Sequence, residues 1–180
     1  MLIRARRLNS NFLLGLGLVV LCAAGCNSPE HARKKETATI AIHIETGAQA
    51  GEKASRISVF RASPIELTVE KQPFIHEAFL TEAHVVSVMD GFAITLQFDR
   101  RGTLLLEQYT AGNLGRHFAI EVQFGKDLAQ QRWLAAPVIQ RRISNGVLTF
   151  TPDATREEAE QIVLGLSNVG KKIHEQSFPF

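Results

Sequence analysis

Strict alternation of apolar and polar residues constrains this chain more than any other pattern in it. Ile40, Ile42 and Ile44 leave an extended backbone on one side, while Ala41, His43 and Glu45 leave on the other. The same period of two recurs at Ile65, Leu67 and Val69, at Phe92, Ile94, Leu96 and Phe98, and at Phe118, Ile120, Val122 and Phe124. Side chains along a strand alternate between faces, so each run reads as a strand with one buried face. Further strands are expected around Arg56 to Ala62, His84 to Met89, Trp133 to Ile139 and Val147 to Phe150. Ser63-Pro64 breaks the pattern, and Asp90-Gly91 and Ser144-Asn145-Gly146 read as turns. Pro137 has no amide proton to give a ladder, which assigns the Trp133–Ile139 strand to a sheet edge or a bulge.

Helical period is confined to a few segments. Asp99 can cap a helix from Arg100 to about Ala111, with Leu105 and Tyr109 on one face and Gly112-Asn113-Leu114-Gly115 as its stop. Phe74 to Leu80 reads as a short helix. Thr155-Arg156-Glu157-Glu158 is a capping box. It opens a helix with Ala159, Ile162, Val163 and Leu166 inward and Gly170-Lys171-Lys172 at its end. Locally paired strands with interspersed helices make the expected fold α+β, a mainly antiparallel sheet with helices packed on one face.

The start of the chain follows a different logic. Arg4, Arg6 and Arg7 precede an apolar run from Phe12 to Leu21, and Ala23-Ala24-Gly25-Cys26 follows. That run is short of the roughly 20 apolar residues of a transmembrane helix and matches a secretory signal. Small residues before Cys26 resemble a bacterial lipobox, although Ala23 stands where leucine is preferred. By that resemblance Cys26 is diacylated and becomes the mature N-terminus; an ordinary cleaved signal with an incidental cysteine is the competing reading. Cys22 fits less well, because bulky Leu21 precedes it. The expected organisation is a signal over residues 1–25, a lipidated cysteine and flexible tether over 26–38, one domain over 39–170 and a tail over 171–180. A lipid-anchored domain facing the periplasm follows, and Asn27, in place of the aspartate that retains lipoproteins at the inner membrane, points to the outer membrane.

Charge and cysteine usage exclude several classes. The chain has 20 Lys and Arg against 18 Asp and Glu. Three arginines and no acid lie in residues 1–25, so the remainder is slightly acidic and the basic pI argues for no nucleic-acid partner. Both cysteines lie at or before Cys26, leaving the domain without a disulfide or a cysteine nucleophile. No two of the six histidines share a metal-ligand spacing, and neither a phosphate loop nor a nucleophile elbow is present. The expectation is therefore a non-enzyme with no cofactor and no metal. Arg141 and Arg142 suit an acidic or extended peptide, or simply guard an edge strand against aggregation. Trp133, the single tryptophan, suits a partner anchor or the rim of a core.

The order of elements over residues 91–170 is similar to the head subdomain in the first periplasmic domain of SecD. The run Phe92 to Phe98, Asp99 and Gly102 resembles that family's strand leading into a helix with an early glycine. Thr110 matches a threonine recurring at the end of that helix, and Phe118-Ala119-Ile120 resembles the next strand. Ala136-Pro137-Val138-Ile139, Gly146, Phe150-Thr151 and Glu157-Glu158-Ala159 resemble its most recognisable run, and Pro73-Phe74 and Ala83 echo the lead-in. The segment Gly125 to Arg132 replaces the family's short hairpin, which implies a surface adapted to another partner. SecD proteins place this domain in a polytopic membrane protein; here no second apolar run precedes Phe180, so the resemblance implies the head fold without the motor. The expected function is a membrane-tethered domain binding a polypeptide partner, by strand addition at the Trp133–Ile139 edge, with a link to protein export. The alternative is a structural or assembly lipoprotein that self-associates or braces another envelope complex.

Overall fold

The structure is a computed structural model that describes Arg33 and residues 35–177. Cys26 and the signal and lipobox residues therefore lie outside the described residues, as does the end of the tail. The strands are β1 (Thr39–Ile44), β2 (Ala54–Val59), β3 (Ile65–Glu70), β4 (Ile75–His76), β5 (Leu80–Val88), β6 (Gly91–Phe98), β7 (Phe118–Phe124), β8 (Gln130–Ala135) and β9 (Val147–Phe150). Helix α1 covers Arg100–Gly112 and α2 covers Arg156–Ser177. All pairings are antiparallel, in a sheet ordered β4-β1-β7-β8, a sheet ordered β5-β6-β9, and the hairpin β2-β3. The fold is α+β, as the alternation implied.

The period of two was a reliable guide to the main core. Ile40, Ile42 and Ile44 join Phe118, Ile120, Val122 and Phe124 in one cluster, which α2 closes with Ala159, Ile162 and Leu166. Tyr109 of α1 stacks on Phe74 with ring centroids 4.2 Å apart. The polar-looking faces of β1 and β7 are covered too. The β2-β3 hairpin lies over them and builds a second cluster from Ile57, Val59, Leu67 and Val69 with Ala119 and Ala136. The small side chain of Ala119, fully buried, lets the hairpin approach, and His43 is only 6% exposed beneath it.

Several boundaries differ from the sequence reading. Phe74 to Leu80 is not a helix: Ile75 pairs with Ile42 in β4, a 3-10 turn spans Glu77–Phe79, and β5 starts at Leu80. Core burial of Phe74 and Ile75 holds that backbone extended, and the Phe74 amide donates to the Ile42 carbonyl at 3.0 Å. β2 starts two residues early, at Ala54, and ends three early, at Val59, where Phe60, at φ 72, turns the chain. β8 also starts earlier and ends before Pro137, whose carbonyl accepts from Phe118. Consequently the long Gly125–Arg132 loop shrinks, its last three residues being strand. α2 runs past Gly170 to Ser177, because that glycine is buried near the Leu80 carbonyl rather than ending the helix.

Asp99 and Thr155 behave as capping residues. The Gly102 amide donates to Asp99 Oδ1 at 2.7 Å, while the Glu158 amide donates to Thr155 Oγ1 at 3.2 Å and Glu158 returns to the Thr155 amide at 2.9 Å.

Candidate functional site

The segment from Pro137 to Asn145 leaves β8 as a strap that crosses to β9, and between strap and β9 lies an open trough of about 660 Å³. Phe118, Ile139 and Leu148, all buried, form its apolar floor, and Val138, Arg141 and Arg142, all exposed, form its rim. The strap is held by short-range geometry at both ends. Its Ile139 amide donates to the Arg116 carbonyl at 2.8 Å, and the Gly115 amide donates back to Ile139 at 2.9 Å. At its middle, the Ile143 amide donates to Thr110 Oγ1 at 2.9 Å, while that hydroxyl donates to the Leu106 carbonyl at 2.7 Å. Arg142 pairs with Glu107 on the same helix face. At its far end Gly146 adopts φ +70, and a Cβ there would clash with Thr103 Oγ1, so only glycine fits.

The structure separates the residues that the sequence singled out. Arg141 and Arg142 line the trough; Trp133 does not. The Trp133 ring sits half-buried against the hairpin cluster, edge-on to His43 at 5.2 Å between centroids. Its strand β8 is an edge, but the Leu134 carbonyl on that edge already accepts from Asp153 at 2.7 Å. Thr110 is the residue whose role the sequence did not disclose: a fully buried hydroxyl at a helix end signals a partner only when the fold supplies one.

A charged knot ties the hairpin to α2. The Arg61 amide donates to Asp153 Oδ2 at 2.8 Å, and its guanidinium lies 3.3 Å from the same carboxylate. Arg132 reaches Glu158 at 3.2 Å and lies over the Phe124 ring, 5.2 Å from its centroid. Burial alone would raise the Asp153 carboxyl, but hydrogen bonds from Arg61 outweigh it and hold the group below its ordinary value. Glu158 is lowered chiefly by the Thr155 amide, with Arg132 adding to it against desolvation. Elsewhere Glu45 is lowered as well, bonds from the His117 amide and ring exceeding its desolvation.

The family model for the SecDF P1 head subdomain matches residues 52–168, well over half of the chain. This chain belongs to the SecDF P1 head family. Among curated proteins, this chain is 26% identical over 118 residues to protein translocase subunit SecD of Calditerrivibrio nitroreducens. That alignment covers 64% of this chain and 22% of the relative, so the chain spans about a fifth of that protein's length. A solved structure of SecDF, described as a membrane component that enhances protein export, superposes with a TM-score of 0.55 at 19% identity. It covers 81% of this chain and 70% of that one, and establishes the likeness of fold. The P1 head match begins after β1, yet β1 is an inner strand of the four-stranded sheet. Among the described residues no helix is long and apolar enough to cross a membrane, and no group of three or more His, Cys, Asp or Glu is placed to hold a metal.

Proposed function

We propose that this protein is a membrane-tethered, non-enzymatic P1 head domain of the bacterial cell envelope that binds a polypeptide partner of the protein-export apparatus. Membership of the P1 head family supports the export link, and the SecD relative is named a translocase subunit. The trough carries the reading. An apolar floor with an arginine rim suits a peptide. A lipid on Cys26 would supply the anchor, with the residues that follow it as tether; Thr37 and Ala38, which the sequence reading put in that tether, instead pack against α2.

Photo-crosslinkers at Arg141 and Val138 of the full-length protein in its own membranes test this. Expected are adducts to exported polypeptides or translocase subunits, and intact-mass analysis should show a diacylated Cys26 that a Cys26→Ser chain lacks. Adducts to lipid alone would sink the polypeptide reading; an unmodified Cys26 would sink the tether. The alternative of a self-associating structural lipoprotein draws on the β5-β6 hairpin tip, where Met89 is 102% and Val88 46% exposed. Light scattering on the purified protein separates the two, since a stable homo-oligomer that gives no adducts favours the alternative.

A further inference from the structure

β9 is the last strand of its sheet, and its outer edge faces the trough. The hydrogen-bond parity follows from the neighbouring strand. Register places Gln97 opposite Val147 and Leu96 opposite Leu148, and the Phe98 amide donates to the Gly146 carbonyl at 2.9 Å. Gly146, Leu148 and Phe150 therefore turn their backbone groups toward β6, and Val147 and Thr149 turn theirs outward. The Val147 amide is occupied by Asn145 Oδ1 at 3.1 Å. Among the described residues no protein partner meets the Val147 carbonyl or the amide and carbonyl of Thr149. Three adjacent outward groups along one strand edge form a template for an added strand.

Charge at the rim sets the occupant. Arg142 is committed to Glu107, and Arg116 donates to the Glu45 carbonyl at 3.3 Å. Arg141 is exposed and has no ion-pair partner among the described residues, leaving a free guanidinium beside the open edge. Such a group binds a carboxylate better than any neutral side chain.

Resting on the polypeptide reading above, we infer that the β9 edge receives an extended acidic peptide segment. Thr149 exchanges main-chain hydrogen bonds with it, Arg141 pairs with one of its carboxylates, and its inward-facing apolar side chains rest on Phe118 and Leu148. The strand-edge bonds supply affinity without regard to sequence, and Arg141 supplies the preference for acidic stretches.

The test uses the full-length protein in detergent micelles and a short fluorescent peptide alternating valine and glutamate. Comparison peptides carry lysine for glutamate, or N-methyl groups on one or the other alternate set of amides. Expected is binding of the acidic peptide, about tenfold weaker or worse for the lysine peptide and for Arg141→Glu, the scale of one lost charge-assisted bond. One methylated set should abolish binding while the other leaves it intact, because a strand bonds its neighbour through alternate residues. Thr149→Pro, which removes an outward amide and leaves the ladder to β6 whole, should act like the disruptive methyl set. Should that variant fail to fold, the methylated peptides decide on the unaltered protein. Equal binding of acidic and lysine peptides, or indifference to both methylation patterns, overturns the inference. Crosslinks to polypeptides that survive Thr149→Pro and Arg141→Glu would overturn it while leaving the polypeptide reading standing. No polypeptide adducts at all would remove both.

Discussion

Thr110 joins α1 to the strap through a single oxygen atom that donates in one direction and accepts in the other. Replacing it with valine keeps the volume but strands the Ile143 amide, and an unsatisfied buried donor costs about 1–3 kcal/mol. We expect Thr110→Val to lower stability by that order in urea titration, with Thr110→Ser retaining most of it. Loss in both variants alike would show that packing, not the hydroxyl, matters there. The same substitution frees the strap, so peptide crosslinking at Arg141 should weaken along with stability. From sequence alone Thr110 matched a recurring family threonine at a helix end, and nothing in that pattern named Ile143, far along the chain, as its partner.

At the scale of elements, α2 crosses the segment before β1 with main chain pressed against its Gly165. A Cβ on Gly165 would lie 2.7 Å from the Ala38 amide nitrogen and 2.7 Å from the Thr37 carbonyl carbon. Alanine improves helix propensity by about 1 kcal/mol over glycine, but overpacking against a backbone costs about 1–3 kcal/mol. The neighbour being main chain, it cannot rotate away, so overpacking wins. Gly165→Ala should therefore be net destabilising in thermal unfolding; a raised Tm would show that the lead-in to β1 yields. The capping box and the apolar stripe of α2 were readable because both are written within a few consecutive residues. Its length was not, since Gly170 signals a helix stop unless a neighbouring strand approaches as closely as β5 does.

Across the whole molecule, two cores of unequal size share the sheet of β1 and β7. The smaller, under the β2-β3 hairpin, includes Trp133 on its edge and is secured by Arg61 to Asp153. Asp153 and Glu158 titrate below their ordinary values in the fold, so their ionised forms contribute stability above the unfolded pKa. That contribution is lost as pH falls through the lower folded values, below about pH 4. Acid should therefore loosen the hairpin first. Trp133 fluorescence should shift to the red at a higher pH than far-ultraviolet circular dichroism is lost, and Asp153→Asn should bring the two transitions closer to neutral. Coincident transitions in the native protein would mean that the hairpin and main core unfold as one unit.

Sequence by itself determined most of the strands, the residues of β1, β6 and β7 that face the main core, where both helices begin, and that the architecture is antiparallel α+β. These follow from periods of two and of 3.6 and from caps, all local properties that the backbone imposes on its own side chains. The tertiary structure alone decided that β1 and β7 are covered on both faces, that Trp133 turns into the hairpin cluster, and that β9 ends its sheet beside the trough. Ala119 and His43 look like a solvent face in the alternation because burial by a distant hairpin leaves no periodic mark. An edge is left unpaired by the register and order of strands remote in sequence. The trough beside Arg141 is a consequence of that order, which no local pattern records.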